Sequence, residues 1–146
     1  MLLLDKANIV YENHWMGSGA NPTKYLLYMD VLGGLAERHT TEKYPENSRQ
    51  AAELIAQAGT RSSSCGYMYD TLAKLCRVLE IKSRVGVDAQ IAYKSGDKQT
   101  LKNIADKILP ELLERMITFC DNTYAQWMAE CKANGYEVLD PRILCL

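Results

Sequence analysis

The stretch DKQTLKNIADKILPELLERMITFCDNTYAQWMAEC, residues 97–131, carries the clearest hydrophobic periodicity in the chain. Its apolar residues recur at steps of three and four, the spacing that places side chains on one face of an α-helix. They are Leu101, Ile104, Ala105, Ile108, Leu112, Met116, Cys120, Tyr124, Trp127, Met128 and Cys131. Asp97 is a favourable N-cap for this helix. Pro110 predicts a break or kink at Leu109, because proline removes an amide donor and clashes with the preceding turn.

Another long helix is predicted immediately upstream. Ser62, Ser63 and Ser64 offer N-caps, and the helix is expected to end around residues 95–96. Gly86 interrupts its apolar face, which predicts a local kink there. The face contains Cys65, Met68, Tyr69, Leu72, Leu75, Cys76, Leu79, Val85, Ala89 and Ala92.

Two further helices are predicted towards the N-terminus. Asn21 followed by Pro22 is a helix start, since Asn caps free amides and Pro at the first helical position loses no hydrogen bond. Gly33 and Gly34 predict either that this helix stops there or that another backbone packs closely against it. A second stripe runs from Glu46 through Ala51, Leu54, Ile55 and Ala58 and stops at Gly59.

The C-terminal end completes the secondary-structure prediction. Gly135 is expected to close the long helix, residues 136–140 to form a short extended piece, and residues 142–146 to begin a helix. Strand pairs and repeats are absent from the pattern. The fold class is therefore all-α, a bundle of four to five helices, up-and-down, with long kinked helices.

Composition excludes several classes of partner. The 146 residues carry a net charge of −1, so no surface suited to nucleic acid or to an anionic membrane is predicted. The opening Met-Leu-Leu-Leu is too short for a signal peptide or a spanning helix. The five cysteines are odd in number and lack CxxC spacing. Cys65, Cys76, Cys120 and Cys131 are interpreted as small core residues on helical faces, and a cytoplasmic location is expected.

Motifs for catalysis and metal binding are missing from the sequence. His14 and His39 do not stand in HExxH or ExxH spacing, so no metal site and no cofactor is predicted. A GxSxG nucleophile motif and a phosphate-binding glycine loop are also absent. The helical carboxylates are interpreted as surface or capping charges, because helical spacing alone does not establish a cleft between two carboxyl groups. These carboxylates are Asp30, Glu37, Asp70, Asp88, Glu111 and Glu114.

An aromatic region before and within the first helix is the candidate interface. Trp15 precedes that helix, and Tyr25, Tyr28 and Asp30 lie in it. Amphipathic aromatic residues are enriched at protein interfaces, which favours an interaction surface here. Filling of a core gap by Trp15 is the alternative.

Several segments together resemble the helical C-terminal domain of bacterial family 20 glycoside hydrolases, the β-N-acetylhexosaminidases. They are NPTKYLLYMD (21–30) followed by LGGL (32–35), YMYDTLAKLC (67–76), AYKSGD (92–97), LPEL (109–112), Gln126-Trp127 and GYEVLD (135–140) before Arg142. The sequence departs from the family in two places: CKANG (131–135) stands where a turn of the type NKPFG is usual, and ILCL (143–146) where a run of the type LGGL is usual. These departures leave the last turn and any C-terminal contact unassigned.

The resemblance implies a division of labour in a larger enzyme. In that family a (β/α)8 barrel precedes this domain and carries an Asp-Glu pair, in which the Asp orients the substrate's acetamido group and the Glu is the acid/base. The present sequence contains no Asp-Glu dipeptide and no strand–helix alternation. Residues 1–20 are then a linker from the catalytic barrel, and residues 21–146 are the helical domain. The implied partners are the barrel of the same chain and a second copy in a homodimer, without nucleic acid or membrane.

Two other functions remain open at this point. One is a free-standing helical adaptor that binds another protein. The other is a small enzyme in its own right, which the sequence disfavours because its chemical groups form no recognisable site.

Overall fold

The computed structural model describes residues 26–28, 30–33, 40–62, 64–131 and 134–136. These ranges contain four α-helices and no strand, which confirms the all-α prediction. The helices are α1 (Tyr44–Thr60), α2 (Gly66–Ser95), α3 (Lys98–Asn103) and α4 (Leu109–Glu130), and a π-helical segment, Ile104–Ile108, joins α3 to α4. Residues 26–28 are also helical.

Helix α2 occupies the centre and runs antiparallel to its two long neighbours. On one side, Ala73 and Cys76 of α2 pack against Ala51, Ala52 and Ile55 of α1. These side chains are small, so the two helices can approach closely and exclude water along their length.

The largest apolar cluster lies on the other side of α2. From α2 it contains Val78, Val85 and Ala89, and from the following helices Ile104, Leu112, Met116, Phe119 and Cys120. Burying a large aliphatic or aromatic side chain stabilises a fold by roughly 1.5–3 kcal/mol. This cluster therefore holds the third long helix against the α1–α2 pair.

Pro110 is accommodated by the π-helical segment. The amide of Leu109 donates to the carbonyl of Ile104, five residues back, and α4 begins directly before the proline. The wider turn moves the backbone carbonyls away from the ring, so residues 98–130 continue as one kinked helix of 33 residues. The predicted kink is confirmed.

Asp97 caps this long helix as predicted. Its carboxylate accepts a hydrogen bond from the Thr100 amide at 3.0 Å and another from the Thr100 hydroxyl at 2.6 Å. Gly96 has a φ of 72° and ends α2 in the left-handed conformation that glycine adopts without strain.

Residues 26–28 and 30–33, called here the docked segment, lie across α2. Its helical part ends before Asp30, whose carboxylate accepts the Leu32 amide at 2.8 Å while its carbonyl accepts the Gly33 amide at 3.2 Å. Among the described residues, the atoms that a Cβ added at Gly33 would approach belong to Asp30 in the same turn. Of the two alternatives for the glycine pair, the structure therefore favours an end of the helix over close packing. That end comes before Asp30 and thus earlier than Gly33, while Gly34 lies outside the described residues.

Close backbone packing occurs instead at Gly86. Helix α2 continues through Gly86, and a Cβ at this position would overlap the carbonyl oxygen of Val31 in the docked segment. A contact that only glycine permits therefore accounts for this interruption of the apolar face, and the kink stays a prediction.

The C-terminal end of α4 differs from the prediction. The helix ends at Glu130, and Cys131 is extended with a ψ of 170°, so Gly135 does not close it. The chain turns back instead: Tyr136 is buried, donates its hydroxyl to the Cys120 carbonyl at 3.1 Å, and lies edge-on to Tyr124. A tertiary contact therefore overrides the glycine signal. The predicted extended piece and final helix, from residue 137 onwards, lie outside the described residues.

Two other predictions are corrected by burial and capping. Cys76 and Cys120 are buried as expected, but Cys65 and Cys131 are exposed because they stand at helix ends beyond the core. The N-cap of α2 is Cys65, without a side-chain cap; Ser62 contributes by accepting the Cys65 amide at 3.3 Å.

Because of the contact at Gly86, a Gly→Ala substitution there is predicted to lower the free energy of unfolding, whereas the same substitution usually raises it in a helix. Alanine normally stabilises a helix interior by about 1 kcal/mol over glycine. For Gly86→Ala we expect a loss of about 1–3 kcal/mol in the free energy of unfolding, because the methyl group displaces Val31. Urea unfolding measures it. Gly66→Ala in the same helix is the control, since its Cβ would meet the Gly59 carbonyl oxygen at an ordinary 3.4 Å. Equal gains at both positions would contradict the packing.

The buried Ser83 predicts a substitution that stabilises the fold or leaves it unchanged. Its side chain is fully buried, and its hydroxyl has no hydrogen-bond partner among the described residues. Ser83→Ala is expected to change the free energy of unfolding by between zero and about +1 kcal/mol, because an unpaired polar group is removed. Thr71→Val, which deletes a hydroxyl bonded to the Tyr67 carbonyl, should instead destabilise. A loss larger than 1 kcal/mol in Ser83→Ala would mean that the hydroxyl is satisfied in solution.

Candidate functional site

Three of the helical carboxylates form ion pairs within their own helices, as expected for surface charges. Asp70 pairs with Lys74, Asp88 with Arg84, and Glu111 with Arg115, each one helical turn away. Pairs of this type at exposed positions contribute about 0.3–0.5 kcal/mol and are structural. Glu37 lies outside the described residues.

A network around Glu80 connects α2 to α4. Its carboxylate accepts from Arg115 at 2.8 Å and from Arg77 at 3.3 Å, and Arg115 also donates to the Arg77 carbonyl at 2.7 Å. Beside it, Glu114 and Thr118 help to line a shallow cleft of about 320 Å³. Because its cations are tied to the neighbouring carboxylates, this cleft lacks the free charge that an anion site requires.

Two carboxyl groups have clearly shifted pKa values, and both pKa values are lowered, which does not suit a general acid. Arg49 donates to Glu46 and holds the pKa of that carboxyl at about 2, and hydrogen bonds from Thr100 lower the pKa of Asp97. A general acid in a glycosidase requires a raised pKa. Both groups therefore act as helix-terminal charges.

Metal ligation and membrane insertion find no support in the described part of the chain. Within it, no three His, Cys, Asp or Glu side chains come together as ligands. None of its helices combines the length and apolarity that crossing a bilayer requires. His14 and His39 lie outside it.

The structure describes two of the four candidate interface residues. Tyr28 is half-buried against the large apolar cluster, while Asp30 is exposed and its carboxylate holds the turn at Leu32. Trp15 and Tyr25 lie outside the described residues. Tyr28 thus keeps an accessible part, and the assignment of all four to one interface stays a prediction.

Lys82 holds the docked segment in place and was not singled out in the sequence. Only 3% of its surface is exposed, and its ammonium donates to the Leu27 carbonyl at 2.6 Å, at the end of the short helical stretch. A cation at a helix C-terminus is favourable. Burial lowers the pKa of Lys82, and the nearby Asp30 partly opposes that shift. A lysine on the apolar side of α2, one turn before Gly86, is the sequence signal that could have found it.

An exposed apolar row on α4 was also missed. Leu109, Leu113, Ile117, Tyr124 and Met128, called here the outer stripe, are between 37% and 50% exposed. Helical geometry places them within an arc of roughly 100°, beside the buried face. Tyr124 and Met128 were placed on the apolar face of this helix, whereas Leu113 and Ile117 were left unassigned. The row was missed because a sequence pattern does not separate a buried apolar row from an adjoining exposed one: both appear as one wide apolar face.

The chain was compared with known protein families and with curated proteins. A family described as Glycoside Hydrolase 20C C-terminal domain matches residues 1–146. A search of curated proteins gives no match.

The burial of Lys82 predicts a pH-dependent stability. Its folded-state pKa lies below the ordinary 10.5, so between these two values the unfolded chain binds more protons and folding stability rises with pH. We expect the difference in free energy of unfolding between wild type and Lys82→Met to shift in favour of wild type as the pH rises towards 10.5. Urea titrations at several pH values measure it.

An exposed lysine provides the control for that experiment. Lys98→Met removes an ammonium from the solvent-exposed start of α3 and should leave the pH dependence unchanged. A difference between wild type and Lys82→Met that is constant with pH would contradict the lowered pKa.

Proposed function

Because the chain belongs to the Glycoside Hydrolase 20C C-terminal domain family, we propose that it is the non-catalytic helical domain of a bacterial β-N-acetylhexosaminidase. Membership of this family implies a parent glycoside hydrolase in which the catalytic domain belongs to the same polypeptide. In the proposal, that domain is a barrel that hydrolyses terminal N-acetyl-hexosaminides. The observation that carries the proposal is the extent of the match, which covers every residue of the chain.

The chemistry of the described residues supports a non-catalytic role. The helical carboxylates Asp70, Asp88 and Glu111 are bound to cations of their own helices. The Asp-Glu dipeptide expected in the catalytic barrel does not occur in the 146 residues. In the proposal, hydrolysis is carried out by the catalytic domain that precedes these residues in the polypeptide.

The proposed role is to support the barrel and to take part in a homodimer. Residues 1–20 would be the linker from the barrel and residues 21–146 the helical domain. The contact with the barrel or with a second copy would be lined by Trp15, Tyr25, Tyr28 and Asp30. The partly accessible Tyr28 favours this assignment. Four free cysteines among the described residues support a reducing cytoplasm as the compartment.

The proposal predicts where glycosidase activity resides. The purified 146-residue chain should not hydrolyse a chromogenic N-acetylglucosaminide, whereas the full-length protein from its source cells should. Antibody raised against this chain should detect a native polypeptide several times heavier than 16.5 kDa.

The other outcomes assign the remaining functions. Hydrolysis by the 146 residues alone would mean that the chain is an enzyme in its own right. A native polypeptide near 16.5 kDa would contradict the proposal and support the free-standing adaptor.

A further inference from the structure

The outer stripe of α4 is an apolar surface of defined extent. From Leu109 to Met128 it spans 19 residue steps, or about 28 Å along the helix axis. Large side chains this exposed and this regularly spaced are typical of a helix that packs against a partner.

Charge on the same helix is strongly biased. Residues 109–131 contain four carboxylates and a single cation, Arg115, which is tied to Glu80 and Glu111. Glu114 and Asp121 lie beside Leu113 and Ile117 on the helix surface. Both are exposed, and neither makes an ion pair with any described residue. The stripe therefore has an acidic border whose two carboxylates form no ion pair within the described part of the chain.

This border argues against a second copy as the occupant. In a two-fold symmetric contact each copy presents the same patch, so the two acidic borders would enter one interface. Like charges brought together in this way oppose association. The fitting partner has an apolar ridge bordered by Lys or Arg.

The docked segment indicates which partner is close to the stripe. Leu27, Tyr28 and Val31 pack in the same cluster as Met116 and Cys120, which adjoin the outer stripe on α4. In a C-terminal domain the rest of the protein precedes this segment, and this continuity of the chain favours the preceding domain as the occupant of the stripe.

We propose that the outer stripe of α4, with its border of Glu114 and Asp121, is the surface on which the catalytic domain of the same polypeptide docks. The matching patch of that domain is apolar and bordered by Lys or Arg. This inference rests on the proposed function and adds the surface and the polarity of its partner.

Thiol labelling of the full-length protein tests the surface. Ile117→Cys places a thiol in the stripe, and Tyr93→Cys provides the control on α2, where the side chain is 78% exposed. With each rate divided by its rate in urea, position 117 should react with a maleimide at least about tenfold more slowly than position 93, because docking blocks access. Peptide mass spectrometry separates these thiols from the native cysteines. Leu113→Cys repeats the test if Ile117→Cys does not fold.

Charge reversal tests the polarity of the partner. Glu114→Lys combined with Asp121→Lys should raise the labelling rate at position 117 towards that of the control. Glu42→Lys, at an exposed position before α1, should not. An unchanged rate in the double variant would overturn the proposed basic border.

The remaining outcomes are distinguishable. Equal labelling at positions 117 and 93 in a preparation that hydrolyses a chromogenic N-acetylglucosaminide would overturn this inference alone. A labelling rate that falls as protein concentration rises would overturn it in favour of a second copy. A full-length protein without hydrolase activity would contradict the proposed function and, with it, the identity of the docking domain.

Discussion

Burial of the middle of α2 around more than half of its circumference is the constraint on which the other elements depend. Lys82, Ser83, Val85, Gly86 and Val87 are all buried, and successive positions of a helix point in directions about 100° apart. Neighbours are therefore required on several sides at once. Helix α1, the π-helical segment with α4, and the docked segment each cover one side, so the shape of α2 dictates how closely each approaches.

The polar residues buried in α2 differ in whether they have a hydrogen-bond partner. Lys82 finds the carbonyl end of a short helical stretch, which offsets part of the desolvation of its ammonium. Ser83 has no hydrogen-bond partner within the part of the chain that the structure describes, and its small side chain suits a closely packed interior. Helix α4, in contrast, is covered on one side only, and its outer stripe has the composition of a surface that another domain would bury.

Local signals in the sequence predicted much of the fold. The Asp97 cap, the kink at Pro110 and the two long helices depend on residues within a few positions of one another, so they are readable without the rest of the chain. The candidate interface was harder to predict from the sequence. Tyr28 could be named from composition. Lys82 stands out on the apolar side of α2, but its contact could not be predicted, because its partner Leu27 lies 55 residues away in the chain.

The sequence by itself determined the helical class and the family, because hydrophobic spacing, caps and prolines act through neighbours along the chain. Only the tertiary structure decided the rest. Gly86 is a contact point because Val31 arrives there from a distant segment. Helix α4 ends before Gly135 because Tyr136 gains a buried hydrogen bond to Cys120. One apolar row of α4 is core and the next is surface, because burial depends on which neighbours a face meets and not on the spacing within it.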